Sequence, residues 1–173
     1  MRSSNPLLLL LPLLATLTTA LPATTPLPPT ARSTASFTGR GQIRTLWNQG
    51  DYADLGCLTA AGLWTTNNAL CGTFTGTALT TSSLPTFTLS SSAGPCHVYG
   101  AQFKCEQGVV GFEFGIWPWP NSIPGKDCLR YGQYGLMASS GVGGPPAAGT
   151  AIDVHFVSYS EQGKYVWLTW APV

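Results

Sequence analysis

Two short cysteine loops constrain the fold of this chain more than any other feature. Cys57 and Cys71 form one candidate pair, and Cys96 and Cys105 form the other. Two bridges among five cysteines allow 15 arrangements, because any one of the five is left over and the other four pair in three ways. We expect the local pairing, because a hairpin brings its two ends within the Cα separation that a disulfide needs. Each small loop then contributes about 2–3 kcal/mol.

The fifth cysteine, Cys128, lies outside both expected bridges. We expect a buried thiol in a monomeric protein, because cysteine is among the residue types most often found in protein interiors. The alternatives are an intermolecular disulfide that makes a dimer, and a nucleophile. No Cys-X-X-Cys or His-X-X-X-His spacing is present, so we expect neither a metal site nor a cofactor.

The N-terminal segment has the layout of a secretion signal. A single positive residue, Arg2, precedes an apolar run over residues 7–14 and small residues that end at Ala20. The run is shorter than the roughly 20 residues that a membrane span needs, which disfavours the alternative of a membrane anchor. We therefore predict a signal peptide over residues 1–20 and an extracellular protein that is a candidate for cell-wall association, with no membrane attachment after cleavage.

The remaining chain divides into a linker and a β domain. Residues 21–36 are dominated by Pro, Thr and Ser, which indicates an extended linker that is a candidate for O-glycosylation. Residues 37–173 form the predicted β domain, with short alternating runs broken by turn residues and a surface loop over 139–149. The pattern predicts an all-β fold, a single compact β-sandwich or β-barrel of about eight short strands.

The predicted strands and core residues follow from this alternation. The strands are predicted over 37–46, 72–78, 86–90, 109–114, 129–137, 152–158 and 164–170. We expect the last two to pair as a hairpin around a turn at 160–163. The expected core consists of Phe74, Phe87, Leu89, Phe112, Phe114, Val154, Phe156 and Trp170.

Charge argues against a nucleic-acid partner. Only 9% of the residues are charged, and the formal net charge is +1. Removal of Arg2 with the signal leaves a balance near zero, whereas nucleic-acid binders carry a basic face. Neutral polar residues must therefore provide most of the surface.

Few residues are suited to acid–base catalysis. Asp153 and His155 are two positions apart and share a face if the segment is a strand, and Glu113 is a third candidate. A polar contact on the solvent face is the more ordinary interpretation of Asp153 and His155, and we expect His97 at the surface. No nucleophile elbow and no phosphate loop occur.

Aromatic residues are the candidates for ligand binding. Flat rings exposed together make a platform on which sugar rings stack, whereas buried rings would only close the ends of the domain. The candidates are Trp64, Trp117, Trp119, Tyr131 and Tyr134, with Trp47 as a further tryptophan of the same kind.

Four segments carry a resemblance to a known family. They are Gly56–Trp64, Cys71–Thr75, Phe87–Cys96 and Phe103–Cys105. Together with Phe37–Gly41 and Leu168–Trp170 they resemble, over most of residues 37–173, the C-terminal β domain of fungal secreted ribonucleases of the T-two family. The resemblance implies an all-β accessory module that associates with cell-wall or surface material, and it supports the two local disulfides. The catalytic motif His-Gly-Leu-Trp-Pro of those enzymes has only a near match at residues 114–118, where Phe114 replaces the histidine. We therefore expect the β domain to stand here without the catalytic domain.

These observations favour a secreted, non-catalytic β module that associates with a cell-wall polysaccharide or another extracellular ligand. A secreted hydrolase that uses Asp153, His155 and Glu113 is one alternative. A secreted interaction or effector protein is the other.

Overall fold

The computed structural model describes residues 37–48, 50–80, 85–117, 123, 125–132, 135–139, 144–157 and 165–173. The predicted signal peptide and linker lie outside this range, so their boundaries stay predictions. Within the described residues the protein is built from strands and one short 3-10 helix over Asn68–Leu70. No helix in the described part of the chain has the length and apolar character of a membrane span.

Thirteen strands are described, all within one hydrogen-bonded sheet. In chain order they are β1 (Gly39–Trp47), β2 (Asp54–Leu58), β3 (Trp64–Thr65), β4 (Phe74–Leu79), β5 (Thr86–Ser91), β6 (Gly94–Tyr99), β7 (Gln102–Cys105), β8 (Glu113–Trp117), β9 (Cys128–Arg130), β10 (Leu136–Ser139), β11 (Ala151–Ile152), β12 (Val154–Val157) and β13 (Tyr165–Pro172).

Six of these strands close into a ring. β1 pairs with β4, β4 with β5, β5 with β8, β8 with β9, β9 with β13, and β13 returns to β1, with every pairing antiparallel. A closed ring of strands is a barrel, and closure removes the exposed edges that an open sheet would present. The predicted all-β class is confirmed, and of the two predicted architectures the pairing corresponds to the barrel.

A second group of strands leaves the ring at β5 and returns to it at β13. It runs through β6, β7, β12 and β10. The strands β12 and β13 both lie beside β10, one on each side, and both run antiparallel to it. The predicted hairpin between them is therefore wrong. Both segments are strands, but residues 136–139 occupy the place between them.

The predicted strand positions are correct in part. β1, β4 and β5 match the predicted runs within two residues, whereas the run predicted over 109–114 is displaced to β8 at Glu113–Trp117. The single run predicted over 129–137 is divided into β9 and β10. The short strands β2, β3, β6 and β7 were not predicted, and β11 overlaps the run predicted over 152–158 only at Ile152, because apolar and polar residues do not alternate clearly in these segments.

The barrel interior is dominated by phenylalanine. Phe74, Phe87 and Phe114 are at most 1% exposed. Phe37 stacks on Phe87 with ring centroids 5.2 Å apart, and Phe103 lies 5.6 Å from Phe114. Each large aromatic side chain buries about 150–250 Å², so a few rings supply most of the apolar burial that the short strands need.

The predicted core is confirmed at most of its positions. Leu89, Val154 and Phe156 are buried with the phenylalanines above, whereas Phe112 and Trp170 are half-buried and pack against the cluster from its margin.

Both local disulfides are present. Cys96 and Cys105 are direct partners on β6 and β7, with Cα atoms 3.9 Å apart. Cys57 on β2 is bonded to Cys71, which follows the 3-10 helix, with Cα atoms 5.5 Å apart. The first bridge therefore closes a hairpin, and the second fastens the segment after β3 to the sheet.

Gly76 on β4 provides a test of the close packing between β4 and the start of the domain. A Cβ at this position would overlap the backbone carbonyl of Phe37. We predict that Gly76→Ala lowers the free energy of unfolding by about 2–3 kcal/mol, because the backbones of β4 and Phe37 must move apart to accommodate the methyl group. Urea unfolding with an unchanged m-value measures the effect. The control is Thr77→Ala, one residue along on the exposed face, which should change stability by less than about 0.5 kcal/mol. Equal effects at the two positions would contradict the packing described.

Candidate functional site

A groove of about 580 Å³ lies beside the Cys57–Cys71 disulfide. It is lined mainly by small residues and hydroxyl groups, with one positive charge and one leucine. The lining residues are Arg40, Ala60, Ala69, Leu70, Cys71, Gly72, Thr73, Thr75, Ser90, Ser91 and Ser92. We refer to this surface as the hydroxyl groove.

The floor of the hydroxyl groove is a row of residues that lie side by side across three strands. Arg40 on β1 is the direct partner of Thr75 on β4, and Thr75 is the direct partner of Ser90 on β5. Direct partners in antiparallel strands point to the same face, with Cβ atoms about 4.5–5.5 Å apart. Phe74 points the opposite way into the core, so the row faces outward.

The wall of the groove is formed by the 3-10 helix and the disulfide. Asn67 caps the helix, since its side-chain oxygen accepts a hydrogen bond from the Ala69 N–H at 3.0 Å. After the helix, the Gly72 N–H donates to the Leu58 carbonyl at 2.8 Å. A Cβ at Gly72 would overlap the backbone of Ala60, so glycine permits this close approach.

Arg44 fixes the wall to the sheet. Its guanidinium donates to both carboxylate oxygens of Asp54, at 2.9 and 3.1 Å, and to the side-chain oxygen of Asn68 at 2.9 Å. It also contacts the Cys71 sulfur at 3.3 Å. A planar guanidinium that meets a carboxylate through two parallel N–H groups has a defined direction as well as charge. Arg44 therefore holds β2 and the 3-10 helix in register with β1.

The far end of the groove is fixed by Ser91. Its hydroxyl donates to the Ala60 carbonyl at 2.5 Å and accepts from the Ala93 N–H at 3.1 Å. The end of β5 is thereby joined to the turn after β2. The hydroxyls of Thr75 and Ser90 remain on the open face beside it.

Of the five predicted aromatic ligand residues, three are described, and they are buried or half-buried. Trp64 is 1% exposed, and its indole N–H donates to the Leu55 carbonyl at 3.1 Å, so its prediction as a stacking residue is wrong. Trp117 is half-buried and packs against Leu46 and Ile123. Trp119 and Tyr134 lie outside the described residues.

Tyr131 and Trp47 also pack against the core. The Tyr131 ring lies 5.8 Å from that of Phe156 and 6.0 Å from that of Phe112, so it continues the internal aromatic cluster. Trp47 is half-buried against the same core. Among the described tryptophans and tyrosines, Tyr99 at the tip of the β6–β7 hairpin has a largely exposed ring.

Two of the candidate acid–base residues, Asp153 and His155, lie beside Gln102, whereas Glu113 lies on another strand. The Asp153 carboxylate accepts a hydrogen bond from the Gln102 side chain at 2.6 Å, and His155 lies opposite Gln102 in the β12–β7 pairing. Glu113 is exposed on β8 opposite Thr88. The contact of Asp153 is thus the cross-strand polar contact that the sequence allowed.

His97 was expected at the surface, and this expectation is wrong. It is 8% exposed, its Nε2 lies 2.9 Å from Glu106 Oε1, and its ring meets the edge of Phe112. Within the described ranges, no three His, Cys, Asp or Glu side chains are grouped closely enough to hold a metal ion.

The hydroxyl groove itself was not predicted. The alternation Thr73-Phe74-Thr75 did identify a strand with hydroxyls on its outer face. Arg40 joins this face through the register between β1 and β4, and Leu70 joins it through the Cys57–Cys71 bridge. Neither arrangement can be predicted from the local sequence.

Comparison with known families matches the part of the chain that carries both disulfides. Residues 35–117 match the family model of the RNase T2-like C-terminal domain. The match confirms the resemblance to this domain over that range. Every residue that lines the hydroxyl groove falls within the RNase T2-like segment, as do both disulfides, whereas β9 to β13 lie beyond it. No curated protein and no solved structure shows significant similarity to the chain.

Arg44 and Arg40 make a matched pair for testing the wall of the groove. We predict that Arg44→Met lowers the free energy of unfolding by about 1–2 kcal/mol, because it removes charge-assisted hydrogen bonds to Asp54 and Asn68. Arg40 is exposed four residues away on the same strand, so Arg40→Met should cost less than about 0.5 kcal/mol. Chemical denaturation measures both, and equal losses would contradict the role of Arg44.

Cys128 gives a second test. It is 0% exposed and packs with Leu46 and Ile123 in a small apolar cluster. We predict that iodoacetamide leaves it unmodified in the native protein and alkylates it in urea, because reaction requires opening of the cluster. Mass spectrometry of peptides gives the readout. Rapid alkylation of the native protein would contradict this placement. A dimer band on a non-reducing gel that is absent from the Cys128→Ser variant would also contradict it.

Proposed function

We propose that the protein is a secreted, non-catalytic β module that associates with an extracellular polysaccharide through the hydroxyl groove. The observation that carries this proposal is the outward row Arg40, Thr75 and Ser90, bordered by Leu70. Hydroxyl side chains both donate and accept hydrogen bonds, as the hydroxyls of a sugar chain do.

The dimensions of the groove suit an extended ligand. Neighbouring strands lie about 4.8 Å apart, so a row across three strands offers polar groups over about 10 Å. Leu70 is 47% exposed at the border and supplies an apolar surface for the C–H groups of a sugar ring.

Binding rather than hydrolysis is supported by the lining. The described residues of the lining supply hydroxyls, a guanidinium and apolar groups, and none of them is a carboxylate or an imidazole. Glycoside hydrolysis ordinarily uses two carboxyl groups that flank the scissile bond. Asp153 and His155 belong to the β7–β12 region and are not in the lining.

The setting also supports the proposal. The N-terminal pattern predicts secretion, and the low content of charged residues suits a surface that meets neutral polymers. The matched family is named for a C-terminal domain, and all of the groove falls within the match. An appended domain with a ligand groove is the arrangement expected of an accessory module.

The proposal predicts that paired hydroxyl removal weakens polysaccharide binding. The double variant Thr75→Ala/Ser90→Ala removes two direct partners from the floor of the groove. We expect about a tenfold loss of affinity, since each hydrogen bond contributes about 0.5–1.5 kcal/mol. Depletion assays with insoluble chitin and β-glucan, and affinity electrophoresis with soluble neutral and acidic polysaccharides, measure the binding.

The control removes the neighbouring row instead. Thr77 and Thr88 are direct partners one step along β4 and β5, and neither lines the groove. Thr77→Ala/Thr88→Ala should therefore leave binding unchanged. Equal losses in the two double variants would place the site elsewhere. Failure of the unaltered protein to bind any polysaccharide of the panel would overturn the proposal.

A further inference from the structure

We infer that the hydroxyl groove is selective for polysaccharides that carry carboxylate groups, and that Arg40 is the residue that recognises the carboxylate. This inference rests on the proposed function, because it specifies the ligand class of the same groove. It is carried by the position of one uncompensated arginine in a lining that is otherwise made of hydroxyls and small apolar groups.

The charge of Arg40 is not used by the fold. Arg44, the other arginine of β1, has its guanidinium bound to Asp54 and Asn68. By contrast, none of the ion pairs found among the described residues involves Arg40, which is exposed at the start of the strand. Its backbone carbonyl accepts from the Val173 N–H at 3.2 Å, so the main chain is held while the side chain stays available.

The surroundings of Arg40 favour an anion over a neutral group. Among the described residues, no Asp or Glu side chain lines the groove, and Arg40 is in none of the ion pairs found there, so its charge is open to an anionic ligand. A guanidinium presents two parallel N–H groups that match the two oxygens of a carboxylate, and such charge-assisted hydrogen bonds are about twice as strong as neutral ones.

The number of charges indicates the kind of anion. The groove contains one cation beside several hydroxyls, among them Thr75 and Ser90 in the same row. A densely sulfated or phosphorylated polymer would call for several cations. A uronic acid unit instead presents one carboxylate next to ring hydroxyls, which is the complement of this row.

Two forms of one polymer provide a direct test. Polygalacturonate carries a carboxylate on each sugar, and its methyl-esterified form has the same chain without the charge. Affinity electrophoresis of the mature protein, at low and at physiological salt, gives a retardation constant for each polymer. We expect at least tenfold tighter binding to the charged form at low salt, and a smaller ratio at higher salt because the arginine is exposed.

Variants then assign the selectivity to Arg40. In Arg40→Gln the ratio of affinities for the charged and esterified polymers should fall about tenfold, and Arg40→Lys should restore it in part, because an ammonium lacks the planar fork. The control is Lys126→Gln, which removes one exposed positive charge outside the groove and should leave the ratio unchanged. Circular dichroism and thermal unfolding check that each variant is folded.

The outcomes separate this inference from the proposed function. Equal binding to the two polymers overturns the inference and leaves polysaccharide binding in place. Equal effects of Arg40→Gln and Lys126→Gln also overturn it, because attraction would then follow net charge rather than the groove. If the protein binds no polysaccharide in either form and none of the neutral glucans, both the inference and the proposed function fail.

Discussion

The alternation along β4 and β5 determines both the interior of the barrel and its outer groove. Phe74, Phe87 and Leu89 face inward, and successive residues of a strand must point to opposite faces. The hydroxyls of Thr75 and Ser90 are therefore directed outward by the same packing that buries the rings. A one-residue slip would expose the phenylalanines and bury the hydroxyls, so the core holds the groove in register. The site needs no stabilising contacts of its own on this face.

The other side of the groove depends on covalent and ionic fastening rather than on packing. Residues of the 3-10 helix are exposed and bury no apolar side chain, so hydrophobic burial contributes little to holding the helix against the sheet. The helix is held instead by the Cys57–Cys71 bridge and by the contacts of Arg44 with Asp54 and Asn68. The chain thus uses a charged side chain for structure at Arg44 and leaves Arg40, on the same strand, for solvent or ligand. Arg40 and Arg44 lie four residues apart but have different roles, because only Arg44 is bonded to acidic and amide side chains.

Features that depend on local pattern were predictable from the sequence. Alternation identified β4 and β5, and the short cysteine spacings identified both bridges, because a local loop closes with little entropic cost. Features that depend on distant partners were not. β10 lies between β12 and β13, and the residue patterns of β12 and β13 do not indicate that a third strand separates them. Trp64 is buried on β3, which pairs edge to edge with β2, whereas a tryptophan count gives no information on burial. The groove required Arg40, Leu70 and Ser90 to meet through register and a disulfide.

The energetics of a hydroxyl surface explain why one charge matters in this groove. Each hydroxyl of Thr75 or Ser90 is hydrogen-bonded to water before a ligand arrives, so exchanging water for sugar returns only a small net free energy. A groove built from such groups binds a neutral chain weakly unless many contacts form together. An unpaired guanidinium changes this balance, because the hydrogen bonds it makes to a carboxylate are reinforced by charge and fixed in direction. In the proposed mode of binding, Arg40 distinguishes a charged from an esterified polymer, and the hydroxyls favour a sugar acid over a carboxylate that has no adjacent hydroxyls. On this proposal, the carboxylate and the sugar ring are recognised by different residues of the same row.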